Sequence, residues 1–185
     1  MHLEPGASIM ILPNPFKDTK PRIHENAFIA PNAIIIGDVE IGEGTNVWPG
    51  VTIRAAACKV KIGERCSIQE NCVIHSEAGT SITIGNDVLI GHGAIVHGPG
   101  DVGDYTLIGI GAIKLQRKSV GKRCIIGAGS VVTKDVPDNA KVMGIPARVA
   151  GTLSEKETSP DATGASMYHE LGKGFKKAGM DQRDG

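Results

Sequence analysis

Three histidines, His75, His92 and His97, lie close together in the middle of the chain. Imidazole is a standard ligand of divalent zinc. Three imidazoles that leave a fourth position open make a catalytic centre, whereas a structural site is closed. Arg54 and Gln69, two further polar residues, precede them in sequence. The other histidines, His2, His24 and His169, are isolated and read as ordinary surface residues. Whether the three meet depends on the elements that carry them.

Those elements are set by a repeat of six. From Ile23 the sixth residue is aliphatic in turn: Ile23, Ile29, Ile35, Ile41, Val47, Ile53. After three extra residues the series resumes as Ile62, Ile68 and Ile74. After four more it runs Ile84, Ile90, Val96, Val102, Ile108, Lys114, Val120, Ile126, Val132. Of these 18 slots, 17 hold Ile or Val. Lys114 is the exception, and a one-residue irregularity there would give the slot to Leu115. Four residues after the slot comes a small side chain in most cases, as at Ala27, Ala33, Thr45, Ala94, Ala112 and Ser130. Cys66, Cys72 and Cys124 fall in the same small positions and read as packing residues, while Cys58 falls in the three-residue excursion and could be exposed. Period six fits neither an α-helix nor plain strand alternation. It fits strand, corner, strand, with three hexads making one triangular coil of 18 residues. Neighbouring coils then hydrogen-bond about 4.8 Å apart. Glycine directly after the slot, as in Ile41-Gly42 and Ile90-Gly91, permits tight corners.

This frame places the histidines. Ile74 and Val96 are 22 apart, which is one coil plus the four-residue excursion. His75 and His97 therefore face outward on the same side, one coil apart, a spacing that suits a shared metal. By the same subtraction Arg54 lies one coil below His75, and Gln69 one coil from His92. His92 sits near a corner and cannot join the other two within one chain. In a three-fold oligomer the corner of one prism meets the face of the next, and each interface would then hold two histidines from one chain and one from its neighbour.

Composition fills in the rest. Lys+Arg and Asp+Glu are both 20, so a formal charge of zero gives no general pull toward nucleic acid or an acidic membrane. Aromatic content of 3% leaves the interior to aliphatic residues. The apolar run Ile9–Leu12 is too short for a membrane span and lacks a basic n-region, and no CxxC pair occurs. A cytoplasmic protein with reduced thiols is expected. After Val132 the turn-rich segment through Ala147 would cap the open end. Residues 1–153 form the expected β-helix domain. Residues 154–164 read as a polar linker, and Met167, Leu171, Phe175 and Ala178 as the apolar stripe of a helix packed along the prism, so that 154–185 is linker plus helix.

The pattern resembles the hexapeptide-repeat, left-handed parallel β-helix proteins, an all-β fold, and handedness is taken from that resemblance. Within them, residues 20–150 resemble the γ-class carbonic anhydrases. The landmarks are Asn46-Val47-Trp48-Pro49-Gly50, Ile53-Arg54, Ser67-Ile68-Gln69-Glu70-Asn71, Val73-Ile74-His75, Gly91-His92 and His97-Gly98-Pro99. The resemblance implies a homotrimer that hydrates CO2 reversibly to bicarbonate. It implies one Zn2+ (or Fe2+ or Co2+) per interface held by His75, His92 and His97. It also implies that Gln69 orients the reacting oxygen, that Arg54 braces the interface, and that Glu77 moves protons. The family motif after the arginine carries an aspartate, where this chain reads Ile53-Arg54-Ala55-Ala56. Arg54 thus lacks one partner, for which Glu70 could substitute. The excursion Ser76-Glu77-Ala78-Gly79-Thr80 is short, with Glu77 its one carboxylate, which implies slow proton export. Two rivals stand beside this reading. Gly127–Pro137 also resembles hexapeptide acyltransferases, and a non-catalytic trimeric scaffold stapled by metal would keep the same histidines.

Overall fold

The computed structural model describes residues 10–183. His2 and Ile9 lie outside the described residues. The chain winds as a left-handed parallel β-helix, and its strands are short because each face of the prism is only a few residues wide. One face stacks Ile11–Leu12, Ile34–Ile41, Thr52–Ile62, Val73–His75, Ile95–His97, Ile113–Lys114 and Val131–Val132 in that order. A second stacks Phe28–Ile29, Asn46–Val47, Ser67–Ile68, Leu89–Ile90, Leu107–Ile108, Ile125–Ile126 and Ala140–Met143. Bridges from Ile84 to Val102, Val120 and Val136 run up the third.

The slot residues turn inward and stack in register, Ile53 on Ile74, Ile74 on Val96 and Ile90 on Ile108. Together with the small positions they form one continuous interior from Ala27 to Val142. Cys66, Cys72 and Cys124 are buried within it. The glycine after a slot serves a different purpose from the expected corner. A Cβ on Gly91 would stand 2.7 Å from the Ile110 backbone nitrogen, so close approach of adjacent coils excludes it. The corner comes two residues later, as at Gly93, whose φ of 67° turns the chain immediately after His92.

Other expectations are corrected as well. Lys114 itself occupies its interior slot, paired with Val96 and Val132 and fully buried, and Leu115 points out. Its long chain fills the slot while its ammonium reaches a carbonyl. Cys58 is buried, because the three extra residues are absorbed inside the strand Thr52–Ile62 and turn its side chain inward. The end cap holds more than turns, since Ala140–Met143 joins the second sheet and Arg148–Thr152 pairs antiparallel with it. The segment expected as linker buries Thr158 and forms a one-turn helix, α1 (Pro160–Thr163), capped by the Ser159 hydroxyl, which accepts from the Ala162 N–H.

The following helix, α2 (Ala165–Lys177), packs on the prism as expected, but only Phe175 of the stripe read from sequence lies on the docking face. Ala165 and Gly172 are buried, and Tyr168 and Phe175 close on Trp48, with ring centroids 6.1 Å and 5.3 Å apart. Phe28 completes the cluster 5.4 Å from Trp48. The few aromatics of this chain are thus spent mainly on clamping the helix. Met167 and Leu171 remain exposed. His169 is half-buried rather than free, its Nδ1 2.9 Å from the Gly44 carbonyl oxygen, whereas His24 is exposed as expected.

Beyond α2 the chain latches onto the first coils. Asp181 accepts from the Ile29 N–H at 3.1 Å and from Arg183, whose guanidinium also donates to the carbonyls of His24 and Ala27. Burial works to raise the Asp181 pKa, and the bonds from Arg183 outweigh it and hold the carboxyl below its ordinary value. A depressed carboxyl stabilises the fold above the unfolded pKa near ~4, and that stability is lost as pH falls through the folded value. Asp181→Ala is expected to cost about 1–3 kcal/mol at pH 7, the price of a buried hydrogen-bonded charge. Thermal melts from pH 7 to pH 3 check this, because the gap between parent and variant should narrow as the pH drops below about 4.

Candidate metal centre

The face that carries Val73–His75 and Ile95–His97 places Arg54, His75 and His97 in one column, paired rung by rung. Each follows an inward slot residue, so each side chain projects from the prism. The His75 and His97 rings stand 5.3 Å apart between centroids, at 87°.

Their hydrogen bonds fix which nitrogen is free. His75 Nδ1 is 2.7 Å from the Arg54 carbonyl oxygen, and His97 Nδ1 is 2.8 Å from the Gly98 carbonyl oxygen. A carbonyl only accepts, so Nδ1 carries the proton and Nε2 of the neutral ring is left as a lone-pair donor. Ligating histidines are oriented by this kind of second bond. Burial pulls the His75 pKa below the ordinary value, and the charges of Arg54 and His97 add to that, against the Arg54 carbonyl bond. The ring therefore stays neutral, as a ligand must.

His92 stands apart at the corner between the two sheets. Among the described residues no three His, Cys, Asp or Glu of one chain gather around a point where a metal could sit. Glu70 Oε2 lies 2.6 Å from His92 Nδ1, off the ideal hydrogen-bond direction, and has no other hydrogen-bond partner among the described residues. The carboxylate favours the proton on Nδ1, so His92 too presents Nε2. Glu70 therefore serves His92 and not Arg54, the reverse of the sequence expectation, because the corner after Gln69 turns it toward the next coil. Arg54 keeps its guanidinium exposed, with no carboxylate within 4.0 Å among the described residues.

Gln69 is buried, and its Oε1 accepts from the His92 backbone N–H at 3.1 Å. Only an oxygen can accept there, so the amide nitrogen is turned away as a donor. Gln69 and His92 line an apolar groove of about 430 Å³ together with Leu107, Ile110, Ile125 and Met167. Glu77 is held in a 2.9 Å ion pair with Arg117. Sequence reasoning missed two neighbours. Cys58 Sγ lies 3.9 Å from His75 Nδ1, with its thiol pKa raised by burial. Lys114 Nζ donates to the His97 carbonyl at 3.0 Å, and burial pushes its ammonium down to about 8. Its break in an otherwise aliphatic series was the visible signal.

Comparison with known proteins places this arrangement. The family described as bacterial transferase hexapeptide (six repeats) matches residues 20–55. A protein of Methanocaldococcus jannaschii described as a probable carbonic anhydrase is 43% identical over 150 residues, covering 80% of this chain and 94% of that one. This chain belongs to the γ-class carbonic anhydrase family. A second member, gamma carbonic anhydrase 2 of Arabidopsis thaliana mitochondria, is 36% identical over 88 residues, 44% of this chain and 31% of its own length. The γ-class fold is shared more widely. A solved hexapeptide transferase family protein from Anaplasma phagocytophilum superposes with a TM-score of 0.82 at 32% identity, over 90% of this chain and 98% of that one.

Proposed function

We propose that this protein is a zinc-dependent lyase that hydrates CO2 reversibly to bicarbonate at the interfaces of a homotrimer. The observation that carries the reading is the His75–His97 pair, in register on adjacent coils with each Nδ1 bonded to a carbonyl and each Nε2 free. His75 and His97 of one chain with His92 of the next would hold one Zn2+, with Fe2+ or Co2+ as alternatives. Three imidazoles fit that donor set. Once bound, such an ion supplies a water whose pKa falls to about 7 and so a nucleophile at neutral pH.

The chain's own groups do the rest. The Gln69 amide donates toward an oxygen of the reacting species and orients it. Arg54 reaches across to brace the neighbour. Glu77 passes protons outward, slowed by its pairing with Arg117. The trimer is supported by the apolar ladder Val73, Ile95, Ile113 and Val131 on the histidine face, of which Val73 and Ile95 are exposed in the single chain. All four cysteines are free thiols, in keeping with a reducing cytoplasmic setting, and no helix of the described residues is long and apolar enough to cross a membrane.

The test is metal content of the purified trimer together with stopped-flow CO2 hydration after loading with zinc, iron or cobalt. Bound metal with hydration supports the proposal. Metal without hydration favours the scaffold. A second reading, acyl transfer with His92 as general base, draws on the apolar groove beside it and on the Anaplasma transferase likeness. A metal-free protein that transfers an acetyl group from a thioester would establish it instead. Within the first reading, Glu70→Ala is expected to weaken zinc binding about 10–100-fold by freeing the His92 ring, measured by competition with a chromophoric chelator. Unchanged affinity would show that His92 needs no partner.

A further inference from the structure

We infer that Lys114 is a positioning residue for the metal centre, a buried amine that holds His97 in place from inside the prism. The inference rests on the metal reading of His75 and His97 given above.

Seventeen of the eighteen interior slots hold Ile or Val, and the eighteenth holds Lys114, the largest fully buried side chain among the described residues. Burying an ammonium is costly unless it finds a partner. Lys114 Nζ finds the His97 carbonyl oxygen at 3.0 Å.

The need for that partner comes from the ladder. On the coil below, the Gly98 N–H donates to the His75 carbonyl at 2.7 Å. His97 pairs with His75, so the equivalent rung one coil up would run from the Gln116 N–H to the His97 carbonyl. That rung is not made. Pairing of Ile95–His97 with the next strand stops at Val96 and Lys114. The chain then bends outward, with Arg117 at φ 60° and its N–H donating to the Pro99 carbonyl instead. The Lys114 ammonium fills the place of the lost backbone donor.

The consequence lies at one peptide unit. The N–H of the His97–Gly98 peptide is fixed to His75, and its C=O is fixed to Lys114. The next carbonyl, that of Gly98, takes the proton of His97 Nδ1 at 2.8 Å and so sets the ring. Lys114 therefore acts on the ligand through two covalently joined anchors. Without it the part-buried His97 carbonyl loses its donor, and the peptide that aims the imidazole can tilt.

The test uses the full-length chain and Co2+ as probe. Lys114→Ile places in the slot what the others hold, and Lys114→Gln keeps an N–H donor there. Lys114→Ile is expected to keep the parent's oligomeric state but to bind Co2+ about 10–100-fold more weakly, the range for loss of an outer partner of a ligand, with shifted d–d absorption bands. Lys114→Gln should recover most of the affinity and the parent spectrum. A purely packing role would move neither readout. Should Lys114→Ile not fold, Lys114→Met takes its place. Parent-like affinity and spectrum in the variant that lacks the donor would overturn the inference while leaving the metal reading intact. A parent chain that binds no Co2+ would overturn both.

Discussion

His97→Ala is expected to strip the metal from the protein and to take CO2 hydration to the background of buffer. The loss should exceed the ~10–100-fold typical of an outer-shell partner, because a direct ligand disappears. Two imidazoles remain per interface, and a zinc site with two protein ligands falls short of the three that a catalytic centre keeps. The effect should be local. His97 projects from the prism after the buried Val96, so truncating it removes no interior contact. The oligomer is expected to persist, held by the apolar ladder on the same face. Elemental analysis and stopped-flow hydration on the trimer fraction decide the matter. A His97→Ala protein that retains stoichiometric zinc and parent-like turnover would remove His97 from the ligand set and with it the geometry of the proposal.

Ile74→Ala is expected to be the most damaging of the single substitutions to the fold. Ile74 is fully buried, stacked between Ile53 below and Val96 above. Deleting its side chain should cost about 2–5 kcal/mol, since the rigid corners on either side cannot collapse into the space. Set against a total stability of roughly 5–15 kcal/mol, that is a large share. Coils touch only their neighbours, so the damage concentrates at the rung that carries Arg54, His75 and His97. Denaturant unfolding at fixed protein concentration measures it. A cost below about 1 kcal/mol would mean that the interior relaxes far more than its register implies. The two substitutions should also separate cleanly, one removing metal with the fold intact, the other weakening the fold from which the histidine pair projects.

The sequence determined the coil. A residue that must point inward every sixth position leaves a one-dimensional signature, and the stacking Ile53–Ile74–Val96 could be read by subtraction because each coil returns the chain to the same face. The same arithmetic aligned Arg54, His75 and His97, since a parallel ladder converts equal phase into adjacency. It also marked Lys114 as an anomaly, though it could not say that the amine stays inside. The stripe Met167–Leu171–Phe175 was right only at Phe175, because α2 docks through Ala165, Tyr168, Gly172 and Phe175 around Trp48, and which face docks depends on a partner far away in the chain.

Polar partnerships were decided by the tertiary structure alone. Glu70 pairs with His92, the carbonyls of Arg54 and Gly98 set the His75 and His97 rings, and Lys114 takes the His97 carbonyl. The reason is directional. Burial needs only the right face, which periodicity encodes, whereas a hydrogen bond needs two atoms within about 3 Å along a shared axis, which depends on how each corner turns. Periodicity thus located the His75–His97 pair, and the corners determined which nitrogen each ring offers.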